Sequence, residues 1–183
     1  MRSLTEKSAS RTDIMIAAIT EGRFWKEGKF ISTLFRRDMK VLIYNGADVE
    51  YAELCVNDFN DLSDRLVEKM CRAAVLYCFT SLNSWAEIDK RDEIEAKLNV
   101  PLSPDMPPEN ILKCLRPVIL SVREAQDGQI GYSVEFDCDF EPEHGMEAVI
   151  LDGKLIYTGP FADHSAWDEY PPDDPTNYAA RIG

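Results

Sequence analysis

The clearest pattern along this chain is a strict alternation of apolar and acidic side chains between residues 134 and 143. The even positions carry apolar side chains, namely Val134, Phe136, Cys138 and Phe140. Every odd position from 135 onward is a carboxylate, namely Glu135, Asp137, Asp139, Glu141 and Glu143. Because successive side chains of a strand point to opposite faces, the pattern predicts one extended strand with a buried apolar face and an acidic face in water.

Two helices are predicted upstream of this strand, where the apolar spacing changes from two residues to four. Apolar side chains recur every four residues in two successive runs, at Tyr51, Cys55 and Phe59 and then at Leu66, Met70 and Ala74. Asp48 and Ser63 precede the two runs and have side chains suited to N-caps. Each run forms an apolar stripe that can pack against a sheet.

Shorter runs rich in β-branched residues predict the other strands. They cover residues 14–20, 30–35, 39–44, 118–122, 146–151 and 155–158. Asp152-Gly153 separates the last two runs and predicts a two-residue type I′ hairpin. Pro108 can begin a short helix through Leu115, and Pro117 ends it. The chain therefore predicts an α+β fold, in which an antiparallel β-sheet of six or seven strands has a helical pair packed on one face.

The sequence predicts one domain at residues 13–161, preceded by a flexible N-terminus at residues 1–12 and followed by an irregular acidic C-terminal tail at residues 162–183. Charge is distributed unevenly along the sequence. The formal net charge is −13, yet residues 1–41 carry +4 and residues 137–174 carry −10. This balance repels nucleic acid phosphates and would steer cationic partners toward the C-terminal part. No nucleic acid partner is therefore expected.

Composition predicts a cytoplasmic protein with no membrane association. The five cysteines, at positions 55, 71, 78, 114 and 138, are odd in number and include no Cys-x-x-Cys pair, so buried reduced thiols are expected. No apolar run approaches the roughly 18 residues of a membrane helix. The first residues also lack the apolar core of a secretory signal.

His144 and its neighbours are the candidates for chemistry. We interpret His144 as a hydrogen-bonded structural residue at a turn, where Gly145 supplies backbone freedom. A Glu143–His144 unit for general acid–base catalysis is the alternative. A Cys138–His144 pair is disfavoured, because six residues of straight strand span roughly 20 Å. The acids lack the loop spacing of a calcium site, and nucleotide, zinc and hydrolase motifs are absent. No catalytic residue, metal or cofactor is predicted.

Three stretches of the chain resemble a family of uncharacterised bacterial proteins. The first is Glu50-Tyr-Ala-Glu-Leu-Cys55 with Phe59-Asn60 and Leu62-Ser-Asp64, and the second is Cys71 with Tyr77-Cys78. The third and most specific is Glu141-Pro-Glu-His-Gly-Met-Glu147, followed by Asp152-Gly-Lys154, Tyr157 and Gly159-Pro-Phe161. Ala148 stands where the resemblance leads us to expect a tryptophan. Related small acidic domains occur among bacterial immunity proteins that neutralise toxins, so the resemblance implies an immunity-like role and assigns no catalytic residues.

These observations favour a non-catalytic cytoplasmic binding protein that engages a basic protein partner. The predicted binding surface is the acidic strand face with the neighbouring histidine, namely Glu135, Asp137, Asp139, Glu141, Glu143 and His144. Like charges along one face destabilise a strand slightly, and a cationic partner would relieve that cost. Two alternatives stay open: a small hydrolase or metal-dependent enzyme centred on Glu143 and His144, and a structural or self-assembling protein.

Overall fold

The computed structural model describes residues 15–98, 100, 101, 103 and 106–182, and within them seven strands form one sheet. In chain order the strands are β1 (Ala17–Glu21), β2 (Trp25–Ser32), β3 (Arg37–Tyr44), β4 (Leu115–Val122), β5 (Gly131–Cys138), β6 (Glu141–Leu151) and β7 (Lys154–Gly159). Their order across the sheet follows the sequence, and neighbours run antiparallel except β3 and β4, which are parallel. The predicted α+β class with a largely antiparallel sheet is confirmed, whereas the predicted flexible N-terminus, residues 1–12, lies outside the described residues.

Among the described residues between β3 and β4 there are three α-helices: α1 (Val49–Asn60), α2 (Asp64–Glu87) and α3 (Arg91–Glu95). This long connection lets β3 and β4 run parallel, because a parallel pair needs a crossover of about a dozen residues or more. Both predicted N-caps are confirmed. The Asp48 side chain accepts a hydrogen bond from the Tyr51 N–H at 2.7 Å. The Ser63 side chain accepts one from the Leu66 N–H at 3.3 Å.

The predicted short helix from Pro108 is present, but the residues that follow it differ from the prediction. Pro108–Cys114 forms a 3₁₀ helix and β4 begins at Leu115, so Pro117 lies inside a strand and not at the end of a helix. The pairing of β4 with β5 shifts register between Pro117 and Ile119. Such an irregularity accommodates a residue that has no backbone N–H to donate to the ladder.

The predicted hairpin between β6 and β7 is confirmed. Leu151 pairs with Lys154 across a two-residue turn. Asp152 and Gly153 have φ angles of 48° and 69°, in the left-handed region that a type I′ turn requires at both positions. The local chemistry of this turn therefore agrees with the register of the two strands.

The main core joins alternate strand positions to the apolar stripes of α1 and α2. The Phe59 ring meets the Phe30 and Tyr132 rings edge-on, at centroid distances of 6.4 and 6.3 Å. On α2, the Trp85 indole N–H donates to the Phe140 carbonyl at 3.1 Å. All five cysteines are buried in this core with free thiols.

Within the C-terminal segment, residues 160–182, Ala166, Trp167 and Tyr170 pack on the side of the sheet that faces away from the main core, whereas Tyr178 and Ala179 belong to the main core. Val149 and Tyr157 point to that side and form a second apolar cluster with Ala166. Trp167 and Tyr170 pack against this cluster. The aromatic side chains of the predicted irregular tail therefore dock on β6 and β7.

The end of the chain also bonds to the β7 strand. The Asn177 amide group donates to the Ile156 carbonyl at 2.9 Å, and the Tyr178 N–H donates to the Thr158 carbonyl at 2.8 Å. A short 3₁₀ helix, Ala179–Arg181, follows. These bonds give the outer edge of β7 partners within the same chain.

Candidate functional site

The prediction of one extended strand through residues 134–143 is wrong. β5 ends at Cys138, residues Asp139 and Phe140 form a turn, and β6 begins at Glu141, which pairs with Cys138. Phe140 is fully buried, and its ring meets the Tyr77 ring of α2 edge-on at 5.7 Å. The helix therefore buries a residue of the turn, which is why the apolar alternation continues past the end of the strand.

A bulge in β6 opens the hairpin just after this turn. Between the pairs Phe136–Met146 and Cys138–Glu141, the register advances two residues along β5 and five along β6. Gly145 in this bulge has φ of 68°, and a Cβ atom there would lie 2.6 Å from the Phe136 carbonyl oxygen. The predicted need for glycine at position 145 is therefore confirmed, for both conformational and steric reasons.

The bulge and the facing part of β5 enclose a concavity of about 230 Å³, which we call the hairpin pocket. Its lining includes five of the six predicted site residues, namely Glu135, Asp137, Glu141, Glu143 and His144. Asp139 lies in the turn and forms an ion pair with Arg116 of β4, which also lines the pocket. The chain thus brings the predicted acids together by reversing direction, not by extending.

The acids of the hairpin pocket have unequal surroundings. The Glu141 side chain is 9% exposed, and its Oε1 lies 3.1 Å from Nδ1 of His144, whose side chain is 65% exposed. Thus Glu141 is the carboxylate in contact with the histidine, whereas the alternative catalytic unit considered from the sequence paired His144 with Glu143. Burial, followed by the charges of Asp137 and Glu147, raises the pKa of Glu135. The pocket therefore holds concentrated negative charge beside one histidine.

The described residues give little support for nucleophilic catalysis or metal binding at the hairpin pocket. Cys138 lines it, but burial raises the pKa of its thiol, so the thiol stays protonated at neutral pH. Across the described part of the chain, no group of three or more His, Cys, Asp or Glu side chains is placed to hold a metal ion.

A larger open groove of about 780 Å³ lies between β3, β4 and the C-terminal segment. Its central cation, Arg123, stacks over the Tyr44 ring at 4.2 Å and pairs with Asp163 at 3.0 Å. The Tyr44 hydroxyl also donates to Asp163 at 3.3 Å. These three side chains bind one another, so we place the candidate site at the hairpin pocket.

A family model described as "Domain of unknown function (DUF6985)" matches residues 15–165 of the chain. The chain belongs to this family. The expected membership of a family without an assigned function is confirmed, and the DUF6985 match contains the whole hairpin pocket. No curated protein matches the chain, and no solved structure does. None of the helices in the described residues is long and apolar enough to cross a membrane.

The DUF6985 region ends just beyond His164, a residue to which the sequence assigned no role. The Glu147 side chain is 1% exposed, and its Oε2 accepts from the backbone N–H groups of Ala162 at 3.3 Å and His164 at 3.1 Å. The same oxygen lies 3.0 Å from Nδ1 of His164, whose ring contacts the Tyr157 ring in a tilted arrangement with a centroid distance of 4.2 Å. Glu147 and His164 therefore fasten the C-terminal segment to the sheet.

Burial raises the pKa of Glu147, although the hydrogen bonds from residues 162 and 164 oppose that rise. The signal in the sequence was a single acid between Met146 and Ala148, inside an apolar run. An acid in such a position must find donors, and here the donors come from residues 162 and 164. No periodicity connects positions 147 and 164, so the pair was not predictable.

Proposed function

We propose that this DUF6985 protein is a non-catalytic bacterial binding protein of the cytoplasm that engages a basic protein partner at the hairpin pocket, in an immunity-like role. Four carboxylates line one concavity of about 230 Å³, and this observation carries the proposal. Small-molecule sites usually occupy about 300–1,000 Å³. A smaller acidic concavity better suits a lysine or arginine side chain from a protein.

The three acids assigned to the partner are Glu135, Asp137 and Glu143. Asp139 already pairs with Arg116, and Glu141 already contacts His144. Burial and then the neighbouring negative charges raise the pKa of Glu135, and a bound cation would oppose that rise by favouring the ionised carboxylate. The net charge of −13 would also speed the approach of a basic partner.

We also infer that α1 and α2 cover one face of the sheet as a pair and leave the face with Glu135 and Asp137 open to a partner. The contacts of Phe59 with Phe30 and of Tyr77 with Phe140 support this arrangement. Asp137 itself is exposed, and Glu135 is half-buried.

The test uses a fluorescent hexa-arginine peptide, with a hexa-glutamine peptide as its uncharged counterpart. The triple variant Glu135→Gln, Asp137→Asn, Glu143→Gln should bind hexa-arginine at least about tenfold more weakly, a loss of about 1.4 kcal/mol. Binding by the native chain should weaken as salt rises, because exposed charges are screened beyond about 10 Å at 0.1 M salt.

The matched control is Asp92→Asn, Glu109→Gln, Glu169→Gln, which removes the same three charges from exposed positions outside the pocket. It should bind hexa-arginine as the native chain does. Equal losses in both triple variants would mean that only net charge matters, and the pocket would lose its assigned role.

A hydrolase is the second candidate, because His144 and Glu141 form a contact pair at a concavity that also contains Arg116. General acid–base catalysis needs such a pair within reach of substrate. Turnover of a p-nitrophenyl ester that disappears in His144→Ala would favour this candidate over the binding protein. Turnover that persists in His144→Ala would remove it.

A further inference from the structure

Residues 161–176 form a loop, which we call the strap, that lies on the sheet between two fixed ends. Before the strap, β7 ends at Gly159. After it, the Asn177 amide group and the Tyr178 N–H bond to β7, and Tyr178 is buried in the main core. A Cβ atom at Gly159 would clash with the Thr176 carbonyl oxygen, so the two ends are adjacent. The strap therefore has the geometry of an Ω-loop, whose ends lie close together.

The strap is held together by hydrogen bonds between its own residues. The Tyr170 hydroxyl donates to the Ser165 carbonyl at 2.5 Å, and the Ser165 N–H donates to the Asp168 side chain at 2.7 Å. Further along, the Thr176 N–H and hydroxyl both donate to the Asp174 side chain. None of these bonds involves the sheet, so the strap can leave the sheet as a unit while its ends stay in place.

Hydrogen bonding is incomplete where the strap meets the sheet. Within the described part of the chain, three buried side-chain nitrogen or oxygen atoms have no hydrogen-bond partner, and all three lie at this boundary. They are Oε1 of Glu147, Nε of Arg123, which pairs with Asp163 of the strap, and the indole Nε1 of Trp167 in the strap itself. Each such atom raises the free energy of the closed state, because water can bond to it once the strap lifts. Local opening is expected first at such contacts.

The closed strap covers Glu147, which lies beside the hairpin pocket. Glu147 of β6 pairs with Glu135 of β5, so their side chains project to the same face with Cβ atoms about 5 Å apart. The Glu147 side chain is 1% exposed, and its Oε2 accepts from the Ala162 and His164 N–H groups of the strap. Opening of the strap removes these donors and leaves a carboxylate in water directly opposite Glu135.

We propose that the strap opens in the folded protein and that a basic partner at the hairpin pocket favours the open state. With the strap open, Glu147 joins the three acids already assigned to the partner. A cationic partner then binds the open state more tightly than the closed state. Binding and opening are therefore linked, and the partner shifts the population by the ratio of its two affinities. The link rests on the proposed binding function, whereas the opening itself does not.

Two buried indole groups report the opening through hydrogen exchange, measured by NMR on the full chain. The Trp167 indole N–H is buried at the strap, and the Trp85 indole N–H donates to the Phe140 carbonyl in the main core. Comparison with the spectrum of Trp167→Phe identifies the strap signal. The Trp167 indole N–H should exchange at least about a hundredfold faster than that of Trp85. Equal rates would mean that the strap opens only when the whole domain unfolds, which overturns the proposal.

The hexa-arginine peptide tests the link between binding and opening. At saturation it should accelerate exchange of the Trp167 indole N–H by about fivefold or more, and leave that of Trp85 unchanged. In Glu147→Gln the peptide should still bind through the other three acids but should no longer accelerate this exchange. Any direct effect of the peptide's charge on exchange persists in that variant. The control Glu109→Gln removes an exposed acid outside the hairpin pocket and should retain the acceleration.

The outcomes separate the link from the binding function. Hexa-arginine that binds without accelerating exchange at Trp167 overturns the link and leaves the binding function standing. Acceleration that persists in Glu147→Gln also overturns the link, because the coupling would not pass through this carboxylate. A peptide that does not bind refutes the proposed function and the link together, and the exchange of the Trp167 indole N–H without peptide still decides whether the strap opens.

Discussion

Replacing Glu147 with glutamine should change the pH dependence of stability. Glu147 is buried beneath the C-terminal segment, with one oxygen accepting hydrogen bonds from Ala162 and His164. A glutamine carbonyl can accept the same bonds but has no charge. The substitution therefore separates the cost of burying a charge from the benefit of the hydrogen bonds.

The direction of the pH dependence follows from burial, which raises the pKa of the Glu147 carboxyl in the folded state above its ordinary value of 4.5. Between the unfolded and the folded pKa, the folded chain holds a proton that the unfolded chain has lost. The contribution of Glu147 to stability is therefore fully present below about pH 4.5 and is lost as pH rises through the folded pKa. The slope is at most about 1.4 kcal/mol per pH unit, and stability is level above that window.

The glutamine variant lacks this contribution, so its free energy of unfolding should rise relative to the native value as pH increases. Urea unfolding, followed by tryptophan fluorescence between about pH 4 and pH 8, measures both curves. Contributions of all other titrating groups largely cancel in the difference. Glu147→Ala, which removes the acceptor altogether, should lose about 1–3 kcal/mol near pH 5 and expose residues 160–182 to proteases.

Two outcomes would refute this reasoning. A difference that is constant over the whole pH range would mean that folding does not shift the Glu147 carboxyl. A glutamine variant that loses stability relative to the native chain as pH rises would mean that the His164 contact outweighs burial.

Two further substitutions test the core and the hairpin pocket. Phe59→Ala empties the space between Phe30 and Tyr132, and calorimetric or urea unfolding should show a loss of about 3–5 kcal/mol, whereas a loss below about 1 kcal/mol would contradict the ring contacts. Gly145→Ala forces a side chain to a φ of 68° and against the Phe136 carbonyl, so it should cost about 1–3 kcal/mol in the same assay; an unchanged free energy of unfolding would contradict the bulge geometry.

Local chemistry explains which parts of the fold could be predicted. Asp48 and Ser63 cap their helices through bonds to residues three positions away, and the Asp152-Gly153 turn needs only its own backbone angles. The turn at Asp139 and Phe140 gave no such signal. Its position depends on α2, which buries the Phe140 ring and binds its carbonyl, and these contacts join residues more than 50 positions apart.

In the candidate site, too, some features could be predicted from local sequence and others depend on tertiary contacts. The alternation predicted which side chains gather, and five of the six line one pocket, but it predicted a flat strand face where the chain forms a bulged hairpin. Arg116 was not foreseen, because it comes from a strand whose start the sequence placed three residues too late. Charge pattern alone therefore indicated most side chains of the candidate site, whereas tertiary contacts determined its shape.

The bonds between the end of the chain and β7 have a consequence for how this domain should be shortened. Asn177 and Tyr178 occupy carbonyl groups of Ile156 and Thr158 that would otherwise form an outer strand edge open to water. An open edge is a template on which strands of other molecules can add. A fragment cut at residue 165, the end of the family match, would lose these hydrogen bonds and should become prone to ordered aggregation. Residues 177 and 178 thus protect the edge of β7 against the addition of strands from other molecules.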